Sequence, residues 1–120
     1  MEDIRDRKDI MHLVDTFYKQ VLVDDVIGFI FTDVAKLDLD AHMPTMYDFW
    51  ETTLLGEMKY NRNAMLKHIE LNQKEPLLPA YFDRWLLLWE RTVSANFAGE
   101  KADLAIKKAN HIAELMKFKM

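Results

Sequence analysis

The chain has 120 residues, half of them hydrophobic and 30% charged, with a formal net charge of −4. These totals predict one domain over residues 1–120, and the acidic balance disfavours nucleic acid as a partner, because nucleic-acid-binding faces are usually basic. The chain has no cysteine, which excludes disulfides, thiolate metal sites and thiol nucleophiles. No apolar run reaches the ~18 residues of a membrane span. The charged start MEDIRDRKDI is unlike a secretory signal, so we expect a cytoplasmic protein without a membrane partner.

The first half of the chain predicts two helices. Apolar residues at helical spacing indicate the first over residues 8–23. The apolar segment 26–31 (VIGFIF) predicts one or two tight turns. The second helix is predicted to start near Asp38 or Asp40, either of which can cap its free N–H groups, and to end at Gly56.

The second half predicts three more helices. A short helix holds AMLKHIEL (64–71), and NQKEPLLP is predicted as a loop. Pro79 suits the first turn of the next helix, which ends before Gly99. A last helix carries an alanine-rich apolar stripe. We therefore predict an all-α domain of five or six helices, whose medium-length loops do not suggest a simple up-down bundle.

The four histidines fall into two classes. His12 and His111 lie off the apolar stripes of their helices, which predicts surface positions. His42 and His68 lie on the stripes. Taken singly, each is more often a structural histidine with a hydrogen-bond partner, and the presence of two on different helices raises the odds of a ligand-holding role somewhat.

Haem fits this residue set better than zinc or a di-iron centre. Zinc requires three or four protein ligands, and no HExxH or ExxH arrangement is present. Haem requires one axial nitrogen, a large apolar slot and a few polar hydrogens. His68 can supply the nitrogen, while Tyr18, His42 and Trp85 carry donors on inward stripes. From spacing alone, Tyr18 and Trp85, each taken singly, are better explained as core residues that bond to backbone carbonyls. A haem-free helical interaction module also stays open.

A family resemblance emerges from several segments taken in order. They are FYKQV with IGFIF, then DAHMPTMYDFWETTLLG, YNRNAMLKHIEL and FDRWLLLW, and finally FAGEKADLAIKKANHIAELM. Together they resemble the truncated haemoglobins of group III over nearly the whole chain. One departure is Arg62, where members of that family commonly have glycine in the turn.

The resemblance implies a globin-like, truncated two-over-two helical sandwich around haem b, with His68 as the iron ligand. It implies Tyr18, His42 and Trp85 as the residues that stabilise the bound ligand, with His42 also able to gate it. The slot would be lined or flanked by Phe31, Met46, Phe49, Trp50 and Leu54. Lys67 and Arg84 are the candidates for the haem propionates.

The function implied is reversible binding of the diatomic gases O2, NO and CO. Two donors at the ligand would make oxygen binding tight, which suits ligand chemistry better than bulk transport. The alternative is an NO dioxygenase or a peroxidase-like enzyme that uses the same haem and a reductase. We expect a monomer or a weak dimer.

Overall fold

A computed structural model of the chain describes residues 1–36, 38–56 and 64–119, without the side chains at positions 64–67, 69 and 119. Within these ranges the secondary structure is entirely helical, which confirms the all-α prediction. The elements are α1 (Arg7–Val21), a π-helical segment (Ile30–Val34), α2 (Leu39–Leu55), α3 (Ala64–Lys74), α4 (Pro79–Asn96) and α5 (Glu100–Lys119). No helix in the described ranges has both the length and the apolar character needed to cross a membrane.

The ends of α1 and α2 follow from local capping chemistry. Asp6 caps α1 by accepting a hydrogen bond from the backbone N–H of Asp9 at 3.1 Å. Asp38 caps α2 in the same way through Asp40, also at 3.1 Å. Gly56 ends α2 with φ 76°, a left-handed conformation that glycine adopts without the cost a side chain brings. The sequence prediction for α2 is therefore correct at both ends.

Helix α3 is longer than predicted. It continues to Lys74, three residues beyond the predicted end at 71. The Asn72 side chain accepts a hydrogen bond from the backbone N–H of Leu77 at 2.8 Å, which folds the following loop back over the last turn. The sequence pattern predicted a loop from Asn72 because asparagine more often occurs in turns than in helix interiors.

The connection after α1 also differs from the prediction of tight turns alone. Two turns are present, but they lead into the π-helical segment, where Ala35 N–H donates to the Ile30 carbonyl at 2.8 Å. Gly28 precedes it at a close approach, since a Cβ there would lie 3.0 Å from the carbonyl oxygen of Leu22. Glycine therefore lets this segment pack tightly against the end of α1.

The core forms where α1, α2, α4 and α5 pack together. Helix α1 packs on α2 and α4, while α5 packs on α4 and also contacts α2 and α3. Alanines allow close contact between α4 and α5, and the Trp89 indole N–H donates to the Ala105 carbonyl at 3.2 Å. The predicted α5 stripe is buried at Ala102, Ala105, Ala109, Ala113 and Met116, and partly buried at Ile106 and Ile112.

Polar contacts fix α2 along α1. The Arg7 guanidinium donates to the buried Glu51 carboxylate at 2.6 Å and pairs with Asp48 at 2.9 Å. The Tyr47 hydroxyl donates to the Asp15 carboxylate. These contacts set the register between the two helices, because each joins a fixed position on α1 to one on α2.

Candidate cofactor site

A cavity of about 310 Å³ lies among α1, the π-helical segment and the four later helices. That size falls at the lower end of the range for small-molecule and cofactor pockets. Its walls are almost entirely apolar. The apolar lining residues are Phe17, Ile27, Ile30, Phe31, Met46, Phe49, Trp50, Leu71, Leu77, Phe82, Ile112, Ala113, Leu115 and Met116.

The polar-tipped side chains at this cavity include all four that the sequence singled out. Tyr18 comes from α1, His42 from α2, His68 from α3 and Trp85 from α4, and Tyr81 of α4 joins them. Four separate helices therefore bring hydrogen-bonding or metal-ligating groups to one apolar space. This is the arrangement expected of a site that holds and orients a ligand.

Tyr18 and His42 form a hydrogen-bonded pair. The Tyr18 hydroxyl lies 2.9 Å from His42 Nε2, with the two rings nearly perpendicular. Burial raises the pKa of Tyr18, so its hydroxyl keeps its proton. The pKa of His42 is lowered, first by burial and then by the positive charge that His68 can carry. At neutral pH the pair is therefore an uncharged phenol beside an uncharged imidazole.

The three tryptophans form one aromatic stack behind the cavity. Trp89 is fully buried between the other two rings, with its centroid 4.4 Å from that of Trp50 and 6.2 Å from that of Trp85. The edge of Phe17 packs on both Trp85 and Trp89. Stacked and edge-on aromatic contacts of this kind make a rigid wall, and Trp50 and Trp85 present it to the cavity.

His68 fits the role of a single axial ligand. It is half-buried, lies in α3 and lines the same cavity as the Tyr18–His42 pair. In the described ranges, no group of three or more His, Asp or Glu side chains could share a metal ion. An imidazole beside an apolar cavity is the kind of donor that haem requires.

Comparison with known proteins shows which proteins the chain resembles. No family model matches the chain. A group 3 truncated haemoglobin of Campylobacter jejuni is 28% identical over 110 residues, which cover 89% of this chain and 84% of that protein. The crystal structure of a group III truncated haemoglobin from the same organism matches with a TM-score of 0.85 and 26% identity, over 99% of this chain and 94% of that one. These two matches support a group III truncated haemoglobin. The predicted truncated two-over-two globin fold is thereby confirmed.

Most of the residues expected to form the haem slot line the cavity. Phe31, Met46, Phe49 and Trp50 are among its walls. Leu54 is not: it is buried in the core one helical turn beyond Trp50. It therefore packs beside the site and makes no wall of it, which is one of the two positions the resemblance allowed.

Arg84 is engaged elsewhere. Its Nε and Nη2 both donate to Asp24 Oδ1, at 2.9 and 2.7 Å. The Asp24 side chain is almost fully buried, and the Arg84 guanidinium holds the pKa of that carboxyl below its usual range. The pair fastens the turn after α1 to α4, next to Trp85. A propionate contact by Arg84 stays a prediction. The Lys67 side chain and the turn at Arg62 lie outside the described residues.

Sequence reasoning missed part of the site. Ile27, Leu71, Leu77 and Leu115 line the cavity without having been singled out. Ile27 and Leu77 come from connections, whose course no periodicity reveals. Phe82, Ile112 and Met116 lie at helical spacing from other apolar residues, but this periodicity cannot distinguish a core position from a cavity wall.

The lowered pKa of His42 predicts a pH dependence of stability. Because folding disfavours the protonated imidazole, unfolded chains take up this proton first as the pH falls below the ordinary value near 6.5. The free energy of unfolding of the wild-type protein should therefore decrease as the pH falls from about that value towards the pKa of His42 in the folded protein. Above that range, this contribution to stability is retained in full. His42→Gln should remove this part of the decline, whereas His111→Gln, at an exposed position, should not. Denaturant unfolding at a series of pH values measures both; identical slopes for wild type and His42→Gln would contradict the assignment.

Proposed function

We propose that this chain would hold haem b in the cavity through His68 Nε2 and would bind diatomic gases reversibly. The observation that carries the proposal is the convergence of His68 and the Tyr18–His42 pair on one apolar cavity. When bound, haem iron supplies a coordination position at which O2, NO or CO binds. The apolar walls supply the slot for the porphyrin, and their low polarity strengthens every hydrogen bond made inside it.

Tyr18 and Trp85 are the proposed donors to the gas ligand. The Tyr18 hydroxyl stays protonated because burial raises its pKa. Its proton is available for a ligand only if His42 carries a hydrogen on Nε2 and donates it to the Tyr18 oxygen. The His42 tautomer thus decides whether Tyr18 points its O–H at the imidazole or at the cavity. The indole N–H of Trp85 makes no hydrogen bond to any described residue, which leaves it as a second donor.

Two donors at one ligand favour tight oxygen binding. A polar diatomic ligand gains from each hydrogen bond, while CO, which is less polar, gains less. The arrangement therefore discriminates among gases by charge distribution. A protein built this way suits chemistry on the held ligand better than rapid release of oxygen.

A second candidate, detoxification of NO or peroxide at the same site, is favoured by the state of His42. Its lowered pKa leaves it uncharged at neutral pH, so it can accept a proton from a reacting ligand. Such turnover would consume electrons from an external reductant. Steady consumption of NO or peroxide with a reductase present would favour this candidate over gas binding alone.

An absorption spectrum tests the proposal directly. The purified protein is recorded as isolated, after haem addition, after reduction and after exposure to carbon monoxide. We expect a strong Soret band at one haem per chain that shifts cleanly on exposure to the gas. A protein that stays folded but takes up no haem would overturn the proposal and favour a helical interaction module.

A further inference from the structure

The buried carboxylate of Asp24, in the connection after α1, has donors at both of its oxygens. Its Oδ2 accepts hydrogen bonds from the backbone N–H groups of Val26 and Ile27, at 3.0 and 3.1 Å. Its Oδ1 accepts two from Arg84, from Nε at 2.9 Å and from Nη2 at 2.7 Å. The Asp24 side chain is only 4% exposed, so these donors replace the water that a surface carboxylate would bind.

The Arg84 guanidinium gives this contact a direction as well as a charge. Two donors of a planar group converge on one oxygen, which restricts the angle of approach as well as the distance. The edge-on contact of Phe29 with Tyr81 joins the same connection to α4, but ring contacts tolerate sliding that would break a hydrogen bond. The ion pair therefore restricts the rotation of α4 about its own axis more tightly than the ring contact does.

The ion pair also joins two walls of the larger cavity. Ile27, whose N–H bonds to Asp24, lines that cavity from the connection, and Trp85, the residue after Arg84, lines it from α4. Consecutive residues of a helix move together, so a rotation of α4 that breaks the Arg84 contact also turns Trp85.

The ring of Trp85 is itself held by contacts that fix no direction in its plane. The edge of Phe17 lies 5.9 Å from it between centroids, and the Trp89 ring is parallel to it at 6.2 Å. Such contacts bury the ring and still permit it to slide. The direction of the indole N–H therefore depends on where the backbone of α4 places Trp85.

We propose that Asp24 and Arg84 are positioning residues, which set the direction of the Trp85 indole N–H in the cavity and thereby the strength of its hydrogen bond to a bound gas. The proposal rests on the function proposed above, in which Trp85 is a donor to that gas. Asp24 and Arg84 are not among the residues that line the cavity, so they act through their neighbours.

Three variants weaken the ion pair to different degrees. Asp24→Asn keeps an oxygen for the backbone N–H groups and removes the charge that Arg84 pairs with. Arg84→Met removes every donor and leaves a buried carboxylate without its cation, so Asp24→Asn carries the test if this variant does not fold. Arg84→Lys keeps the charge without the planar pair of donors and should give intermediate effects. Asp83→Asn is the matched control, because the exposed Asp83 precedes Arg84 and pairs with Lys117 at 2.6 Å.

Fluorine NMR of the full chain labelled with 5-fluorotryptophan reports the Trp85 ring without any need for haem. The chain has three tryptophans, and the Trp85 resonance is the one that Trp85→Phe removes. Asp24→Asn and Arg84→Met should shift or broaden this resonance and leave that of Trp50, at the other end of the stack, in place. Asp83→Asn should leave all three unchanged. An unchanged Trp85 resonance in both variants of the pair would overturn the proposal.

Oxygen dissociation from the haem-loaded protein measures the consequence for the gas. Asp24→Asn and Arg84→Met should speed dissociation about 2- to 10-fold, the range expected for loss of one hydrogen bond of typical net strength. In a Trp85→Phe background the same substitutions should have no effect, because no indole N–H is left to misdirect. Equal acceleration with and without Trp85 would show a merely structural role and overturn the proposal.

Haem dimethyl ester, whose propionates are esterified, distinguishes positioning from a propionate contact. Arg84→Met should change the affinities for haem and for the ester by the same factor. A loss of affinity for haem alone would assign Arg84 to a propionate and overturn the positioning role. Failure of the wild-type protein to bind haem would contradict the proposed function, while the fluorine spectra would still decide whether the ion pair positions Trp85.

Discussion

His68→Ala should lower the affinity for haem by at least about a hundredfold. Loss of an outer partner of a metal ligand typically costs 10–100-fold in affinity, and removal of the ligand itself costs more. His68 lines the cavity from α3, and the truncation leaves the apolar walls in place. Haem titration followed at the Soret band measures the affinity of the variant and of wild type.

Imidazole rescue distinguishes a lost ligand from a damaged fold. Free imidazole should occupy the space left in His68→Ala and restore much of the haem binding and the Soret spectrum. His111→Ala, at an exposed position on α5, is the matched control and should bind haem like wild type. If His68→Ala bound haem with wild-type affinity, His68 would not be an iron ligand and would be a structural histidine.

Tyr18→Phe should speed oxygen release about 5- to 150-fold. The factor corresponds to loss of a hydrogen bond worth about 1–3 kcal/mol in a dry pocket. Phenylalanine keeps the ring contacts of Tyr18 with Phe17 and Phe31, so the walls should not collapse. Stopped-flow displacement of oxygen by CO gives the dissociation rate.

Tyr81→Phe is the matched control for the loss of a hydroxyl. Tyr81 also lines the cavity, from α4, and its ring packs against Phe29. Removal of the Tyr81 hydroxyl should leave the oxygen dissociation rate within about twofold of wild type, as expected for a group that contributes less than about 0.5 kcal/mol. Equal rates in Tyr18→Phe and wild type would exclude Tyr18 as a donor to the ligand.

Local chemistry made much of the fold predictable from the sequence. The caps of α2 at Asp38 and Gly56 and the start of α4 at Pro79 depend on neighbours within a few residues. The inward positions of Tyr18, His42, His68 and Trp85 follow from helical periodicity, since each shares a face with apolar residues. That these four meet in one cavity could not be derived from periodicity and came only from the family resemblance.

Pairings across long chain separations were not predictable. Arg84 and Asp24 are 60 residues apart in sequence, and nothing local shows that this guanidinium is committed to that carboxylate. The buried Thr92 was missed for a related reason: its hydroxyl is satisfied by the Leu88 carbonyl and by the distant Gln20. A polar residue is predicted to be exposed when its hydrogen-bond partners cannot be identified from the sequence.

The stacking of Trp50, Trp85 and Trp89 makes this protein's intrinsic fluorescence a local signal. All three tryptophans of the chain belong to that one stack, so their emission reports the α2–α4 contact and the cavity wall. Far-ultraviolet circular dichroism instead reports all the helices, α3 and α5 included. Coincident unfolding curves from fluorescence and circular dichroism would indicate that the protein unfolds as one cooperative unit. A fluorescence change at lower denaturant would reveal that the cofactor cavity opens before the rest of the molecule unfolds.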